Sequence, residues 1–181
     1  MLKKSFLTIT FSCFVIISSF SNNPVISKFE KLSAQQLLDT AEYYANNNLN
    51  DVALICYSLI INTPVANADF EQQKKVVKAY NKAGIIYLRI CDYRSAYEYF
   101  IKALILCEKI NYLLYESKIY NNIGNIYSHF KKYDLAKQYY SKALNLCSDT
   151  TSMVAILTRI IHRENNLRNF SMQDVCGGFS F

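Results

Sequence analysis

Residues 80–107 read YNKAGIIYLRICDYRSAYEYFIKALILC, and residues 120–147 read YNNIGNIYSHFKKYDLAKQYYSKALNLC. The two stretches lie 40 residues apart and share a Tyr and a Gly in the first half, then two Ala around an aromatic residue in the second. Agreement at so many aligned positions indicates an internal repeat and not merely a shared composition. A repeat of this length predicts a pair of helices that buries its apolar face against the next pair.

A weaker copy of the same pattern lies upstream. Leu37, Thr40, Ala41 and Tyr44 occupy the positions of its first helix, and Ala53, Tyr57 and Ile60 those of its second. The spacing from Ala41 to Gly84 is 43 residues, so the linker around Thr63 and Pro64 absorbs three extra residues. The chain is therefore expected to contain about three helical hairpins.

The order aromatic-x-x-apolar-Gly-x-x-Tyr, then Ala, aromatic, Ala resembles the tetratricopeptide repeat. The resemblance covers roughly residues 33–148, with a period of 40 residues in place of the family's roughly 34. It lacks the family's Pro after the second helix in the second and third copies. The resemblance implies an all-α solenoid in which the first helices of successive repeats line a concave groove, called the groove below.

Composition agrees with helices, since 181 residues contain only 4 Gly and 2 Pro, too few for the many turns of a sandwich or barrel. Ser33 with Gln36 predicts a capping box, and Asp92 an N-cap. The last helix carries an apolar stripe that suits either a capping helix or the first helix of a fourth repeat whose partner is missing. The helices are predicted at 33–47, 51–62, 69–90, 93–110, 112–130, 133–147 and 150–164, and the stripe consists of Met153, Ile156, Leu157, Ile160 and Ile161.

The first 21 residues have the pattern of a secretory signal peptide. Lys3 and Lys4 precede an apolar run over residues 6–20, and two small residues at the end of the run, Ser19 and Ser21, occupy the positions that a signal peptidase recognises. The run is shorter than the roughly 20 residues that a spanning helix needs. We therefore expect cleavage near Asn22 and export to the periplasm or to the exterior of a bacterial cell. The alternative is that the segment stays uncleaved and anchors the protein in the membrane. No second segment qualifies as a membrane span, and residues 33–165 form the repeat domain, followed by a disordered tail at 166–181.

Catalytic, metal and nucleic-acid signatures are not found in the sequence. His129 and His162 have no second ligand at helical spacing, and no phosphate-binding loop or nucleophile elbow occurs, so neither an enzyme nor a cofactor is predicted. A net charge of +6 spread over a domain is too mild to imply nucleic acid. Five cysteines remain after the signal, an odd and scattered set that predicts apolar packing, with Cys176 able to cross-link chains.

The resemblance also implies where a ligand would bind. Asn amides can hydrogen-bond a peptide backbone with both ends, and Lys can pair with a carboxylate, so the groove favours a protein or peptide partner. In repeat one the groove positions are acidic or apolar, Glu42 and Leu38 among them, so a two-carboxylate clamp is not expected. The sequence predicts an exported adaptor; the alternative is the sensory segment of an envelope regulator whose output part is missing. The predicted groove residues are Lys78, Asn81, Lys82, Lys118, Asn121, Asn122 and Asn125.

Overall fold

The structure, a computed structural model, describes residues 24–64, 68–147 and 151–161. Every regular element within these ranges is an α-helix, and none of these helices is long and apolar enough to cross a membrane. The helices are α1 (Pro24–Phe29), α2 (Ala34–Asn46), α3 (Asn50–Ile61), α4 (Phe70–Arg89), α5 (Tyr93–Ile110), α6 (Leu113–His129), α7 (Tyr133–Asn145) and α8 (151–161).

The all-α prediction is confirmed, and each of the seven predicted helices is present with ends that agree within about two residues. Residues 162–164, predicted to end the last helix, lie outside the described residues. So do the predicted signal peptide at 1–21 and the predicted tail at 166–181. Sequence reasoning missed α1, which has only six residues and begins with Pro24 at its first position, where a missing N–H costs nothing.

The described helices belong to two compact units that divide after Pro64. In the first unit α2 and α3 form one hairpin, in which Ala41 and Ala53 are fully buried together with Tyr57 and Ile60. The small alanines let the two helices approach closely. The second unit contains two further hairpins, α4 with α5 and α6 with α7, followed by α8.

Each hairpin of the second unit is closed by a glycine against an aromatic ring. A Cβ atom on Gly84 would lie 2.6 Å from Cε1 of Phe100, and one on Gly124 would lie 2.6 Å from Cε1 of Tyr140. Such distances are shorter than carbon atoms tolerate, so only glycine fits between these rings and the helix backbone. The predicted close contact between paired helices is confirmed. The core between the two hairpins consists of Val77, Ala96, Phe100, Ala103, Cys107, Ile119, Ile123 and Ile126.

Helix caps fix where the helices begin. Gln36 N–H donates to Ser33 Oγ at 3.3 Å while Ser33 N–H donates to Gln36 Oε1 at 2.9 Å, so the predicted capping box is confirmed. Asp92 Oδ1 accepts from Ser95 N–H at 3.1 Å. Hydrogen bonding from the Ser95 side chain, and after it from this N–H, holds the pKa of Asp92 below its ordinary value. Asp69 caps α4 in the same way, a cap that sequence reasoning missed.

The turn inside each hairpin has the same backbone conformation. Asn48, Cys91 and Lys131 occupy equivalent places and all have positive φ, near 60°. The N–H of the residue that follows donates to a carbonyl five residues upstream, at 2.9 Å in all three turns. This is the Schellman pattern, in which glycine is the residue of lowest steric cost. The turns at Cys91 and Lys131 therefore carry a strain that Asn48, with its short polar side chain, largely avoids.

Lys131→Gly is expected to stabilise the protein. The left-handed conformation costs a residue with a Cβ about 1–2 kcal/mol, and glycine's extra freedom when unfolded offsets about half of this, so the expected gain is about 0.5–1 kcal/mol. Chemical denaturation measures it. Lys137→Gly is the matched control, because Lys137 is exposed in the interior of α7, where glycine should destabilise by about 1 kcal/mol. A loss of stability in both variants would contradict the strain.

Candidate binding groove

The first helices of the two hairpins are joined directly by their side chains. Asn122 Nδ2, on α6, donates to Asn81 Oδ1, on α4, at 2.9 Å. Asn81 is only 3% exposed. A buried amide is costly unless it is hydrogen-bonded, so this pair fixes the lateral register of α6 on α4.

The same kind of contact recurs one helix further along. Arg159, on α8, donates from Nη1 to Asn121 Oδ1, on α6, at 3.2 Å. A hydrogen bond from a charged group to a neutral acceptor is somewhat stronger than one between neutral groups. The helices α4, α6 and α8 are therefore linked in chain order by polar side chains on one face.

A third amide supports the aromatic ring that closes its own hairpin. Asn125 Oδ1 accepts from the hydroxyl of Tyr140 at 2.8 Å. The Tyr140 ring is 1% exposed and packs on Gly124, so the hydroxyl crosses between the paired helices to reach the groove side of α6. Asn125 thus has a structural task in addition to any contact with a ligand.

Positive charge lines the same face. Lys78, on α4, is half-buried, and Lys118, on α6, is exposed with its Nζ 4.9 Å from the centre of the Tyr115 ring. Neither lysine forms an ion pair within the described residues. Lys82 is half-buried one turn along α4 from Lys78. These ammonium groups leave the face electropositive.

The structure thus places the seven predicted groove residues in two roles. Lys78, Lys82 and Lys118 present cationic groups, while the four asparagines hold the wall of the groove together through one end of their amides. Asn81 differs most from its prediction as a presented side chain, because it is buried between helices. Asn125 also has a second role, because it supports the Tyr140 hydroxyl inside the hairpin.

A cleft of about 200 Å³ lies between α6 and α8 at the end of this face. Lys118, Asn121 and Arg159 surround it, with Ser152 and Ile156. Two cationic side chains and an amide around an apolar base suit a carboxylate attached to a short apolar group. Sequence reasoning did not include Arg159 in the groove. Alignment of the last helix with the first helix of the third repeat could have identified it.

A second, larger cleft lies outside the predicted groove. Its volume is about 440 Å³, and Tyr97, Tyr127 and Phe130 form much of its wall between α5 and α6. Beside it Tyr93 stacks on His129 with ring centres 4.2 Å apart, and the Tyr93 hydroxyl lies 3.3 Å from His129 Nδ1. His129 therefore packs on an aromatic ring, and no group of metal-binding side chains occurs among the described residues.

The buried cysteines have the properties of packing residues. Cys56 and Cys107 are fully buried, and burial raises the pKa of Cys56 to about 11 and that of Cys107 to about 12. A thiol with so high a pKa remains protonated at neutral pH and is a poor nucleophile. None of the four cysteines in the described part of the chain forms a disulfide.

The protein is expected to lose stability in alkaline solution. Burial raises the pKa of Cys107 from 9.0 to about 12 and that of Tyr99 from 10.0 to about 12. The unfolded chain releases these protons first, so the stabilisation is complete below about pH 9 and is lost as pH rises toward 12. Denaturation midpoints across this range measure the loss. Cys107→Ala should flatten the pH dependence, and a slope equal to that of the unmodified protein would contradict the assignment.

Comparison with known proteins found a matching family and similar solved structures. Residues 75–149 match the family described as Tetratricopeptide repeat. Among solved structures, BtubC from P. vanneervenii is 16% identical with a TM-score of 0.66, covering 83% of this chain and 65% of its own. The N-terminal domain of stress-induced protein-1 (STI-1) from C. elegans is also 16% identical, with a TM-score of 0.54, covering 79% of this chain and 99% of its own. The present chain thus spans just under two thirds of the length of BtubC, and no curated protein matched the sequence.

Proposed function

Starting from the tetratricopeptide repeats in residues 75–149, we propose that this protein is an exported adaptor that binds a peptide or protein segment in the groove. Tetratricopeptide repeats are generally scaffolds for protein–protein interaction and not enzymes, so no catalytic role is proposed. The observation that carries the proposal is the linked row of amides and cations across α4, α6 and α8.

The amides are held in a way that prepares them for a ligand. Asn121 and Asn125 each accept a hydrogen bond from a neighbouring helix through Oδ1, which orients their Nδ2 groups. An oriented amide loses little side-chain entropy when a peptide carbonyl binds to it. The groove is therefore preorganised for an extended backbone, and the ammonium groups of Lys78 and Lys118 favour one with acidic side chains.

Site-specific photo-crosslinking in living cells tests the adaptor function. A photoreactive residue at Lys118 should capture a protein partner, because this side chain is exposed at the groove. The same residue at Gln138, exposed on α7, is the matched control and should capture far less. Equal capture at both positions would contradict a binding site in the groove.

Export is proposed from the pattern of the first 21 residues. Mass spectrometry of the protein recovered outside the cytosol is expected to find an N-terminus near Asn22. The physical reason is the basic start, apolar run and small residues that a signal peptidase recognises. Recovery of the protein from the cytosol with Lys3 and Lys4 still attached would contradict the proposal.

A further inference from the structure

The turns that close the two hairpins of the second unit lie side by side. Tyr93, at the start of α5, packs edge-to-face on Phe130, which follows α6, with ring centres 5.2 Å apart. The Tyr93 ring also stacks on His129 with ring centres 4.2 Å apart. Residues 89–94 and 129–134 therefore form one surface, called the turn edge below.

The turn edge exposes an apolar side chain at the same place in each turn. Ile90 and Phe130 each follow directly on the last residue of a first helix, and they are 51% and 53% exposed. Beside Phe130 the apolar surface continues into the cleft of about 440 Å³, whose wall includes Tyr93 and Tyr97. An exposed apolar patch with a polar rim marks a site that meets a protein or a membrane.

Positive charge surrounds this apolar surface. Four exposed cationic residues stand against two acidic ones, Asp92 and Asp134, so the turn edge has a net charge of +2. Asp92 is half-buried, and its carboxylate caps α5. The equivalent turn of the first hairpin, residues 46–51, contains no cationic residue, so this charge is not a general property of the repeat. The four cationic residues are Arg89, Arg94, Lys131 and Lys132.

One of these cationic groups has an acidic neighbour outside the turn edge. Arg94 Nε lies 3.2 Å from Glu98 Oε1, one helical turn further along α5. The Arg94 side chain is 91% exposed, so water screens the pair and the ion pair contributes little to stability. The guanidinium group can therefore exchange Glu98 for an anionic partner at little cost.

We propose that the turn edge docks on a membrane surface that contains anionic phospholipids. The two surfaces are complementary in charge, and each Lys or Arg near such a membrane strengthens binding about fivefold. Tyr rings are stable at the level of the headgroups, and exposed Ile and Phe side chains enter the boundary with the acyl chains. Two neighbouring turns suit a flat partner, whereas a peptide binds in a groove. The proposal does not depend on what the groove binds.

A fluorophore attached to Cys91 tests the docking, because this thiol is exposed on the turn edge. The full chain is used with Cys13, Cys147 and Cys176 changed to Ser, while the two fully buried thiols stay unlabelled. Emission from a polarity-sensitive label should shift to the blue with vesicles of phosphatidylglycerol and phosphatidylcholine in equal parts. Vesicles of phosphatidylcholine alone should leave the emission unchanged. A blue shift with both kinds of vesicle, or with neither, would contradict the proposal.

The matched control moves the label to another exposed position. Cys91→Ser with Gln138→Cys places the label on α7, where it should remain in water. This readout is local, so it distinguishes docking of the turn edge from binding through the apolar residues 6–20. Equal shifts at the two positions would argue against docking by the turn edge. A shift at Cys91 caused by soluble polyglutamate without vesicles would assign the turn edge to an acidic protein and overturn the membrane proposal.

The contribution of charge is measured by removing two cationic groups. Lys131→Gln with Lys132→Gln should weaken vesicle binding, titrated through the Cys91 label, by about tenfold or more. Lys102→Gln with Lys109→Gln removes two exposed cationic groups from α5 and should change the affinity less than twofold. If the two double variants weakened binding equally, the attraction would come from the overall charge of the protein and not from the turn edge.

The apolar contribution is measured at constant charge. Ile90→Ser with Phe130→Ser should weaken vesicle binding by about fivefold or more, because both side chains leave the lipid boundary. Ile105→Ser, at an exposed position on α5, is the control and should have little effect. Circular dichroism checks that the helices persist in each variant. Folded turn-edge variants that bind vesicles as tightly as the unmodified chain would overturn the proposal.

Discussion

Gly124→Leu is expected to lower the free energy of unfolding by about 1–3 kcal/mol through overpacking. Even the first carbon of the new side chain would lie 2.6 Å from Cε1 of Tyr140. The ring has nowhere to move, because it is 1% exposed and its hydroxyl is held by Asn125. Gly84→Leu should have an effect of similar size, since its Cβ meets the equally buried Phe100 ring. Urea denaturation of each variant measures the loss.

Gln138→Leu provides the control for this prediction. It adds the same side chain to the same hairpin at an exposed position on α7, and its effect should stay within about 0.5 kcal/mol. A double variant tests the mechanism: Tyr140→Leu should recover part of the loss caused by Gly124→Leu, because the two residues compete for one space. Equal stability of Gly124→Leu and the unmodified protein would mean that the helices can separate at this contact at no cost.

The sequence predicted the helices and their pairing well because both depend on local periodicity. Gly84 and Gly124 recur with an aromatic residue sixteen positions later, and such a spacing identifies the contact between paired helices without coordinates. The caps at Ser33 and Asp92 were predictable for the same reason, since they depend on residues only three positions away. A helix of six residues has too few positions to show such a pattern, so α1 was not predicted.

The groove was less predictable because its side chains act between helices that are distant in sequence. Residue type and helical phase predicted that Asn81 and Asn125 lie near this face. They could not show that Asn81 binds Asn122, or that Asn125 binds the hydroxyl of Tyr140, because those contacts depend on how far the helices slide past each other. The contribution of Arg159 depends in turn on where α8 docks.

Four groove substitutions together, Lys78→Ala, Lys82→Ala, Asn121→Ala and Asn125→Ala, are expected to weaken partner binding at least tenfold. A hydrogen bond from an amide to a peptide backbone contributes about 0.5–1.5 kcal/mol, and one from an ammonium group to a carboxylate somewhat more. Tenfold in affinity corresponds to about 1.4 kcal/mol, so even a partial loss of such contacts suffices. Titration calorimetry with the partner captured at Lys118 measures the change.

The four groove substitutions are expected to differ in their effects on the melting temperature. Lys78→Ala with Lys82→Ala should leave the melting temperature nearly unchanged, because neither ammonium group lies in the core. Asn125→Ala should lower it, since the Tyr140 hydroxyl loses its 2.8 Å acceptor inside the hairpin. Asn125→Asp keeps an acceptor for that hydroxyl but opposes an acidic ligand, so it should weaken binding with little loss of stability.

Removal of charge elsewhere is the control for the lysines. Lys102→Ala with Lys109→Ala deletes two exposed cationic groups from α5, a second helix, and should change affinity less than twofold. This pair is a better control than Tyr97→Ala with Glu98→Ala on the same helix, because Tyr97 packs on Tyr127 beside the 440 Å³ cleft. If the α5 pair weakened binding as much as Lys78→Ala with Lys82→Ala, the attraction would come from the overall charge of the protein. A partner whose affinity depended on Tyr97 and not on the lysines would instead bind in the aromatic cleft between α5 and α6.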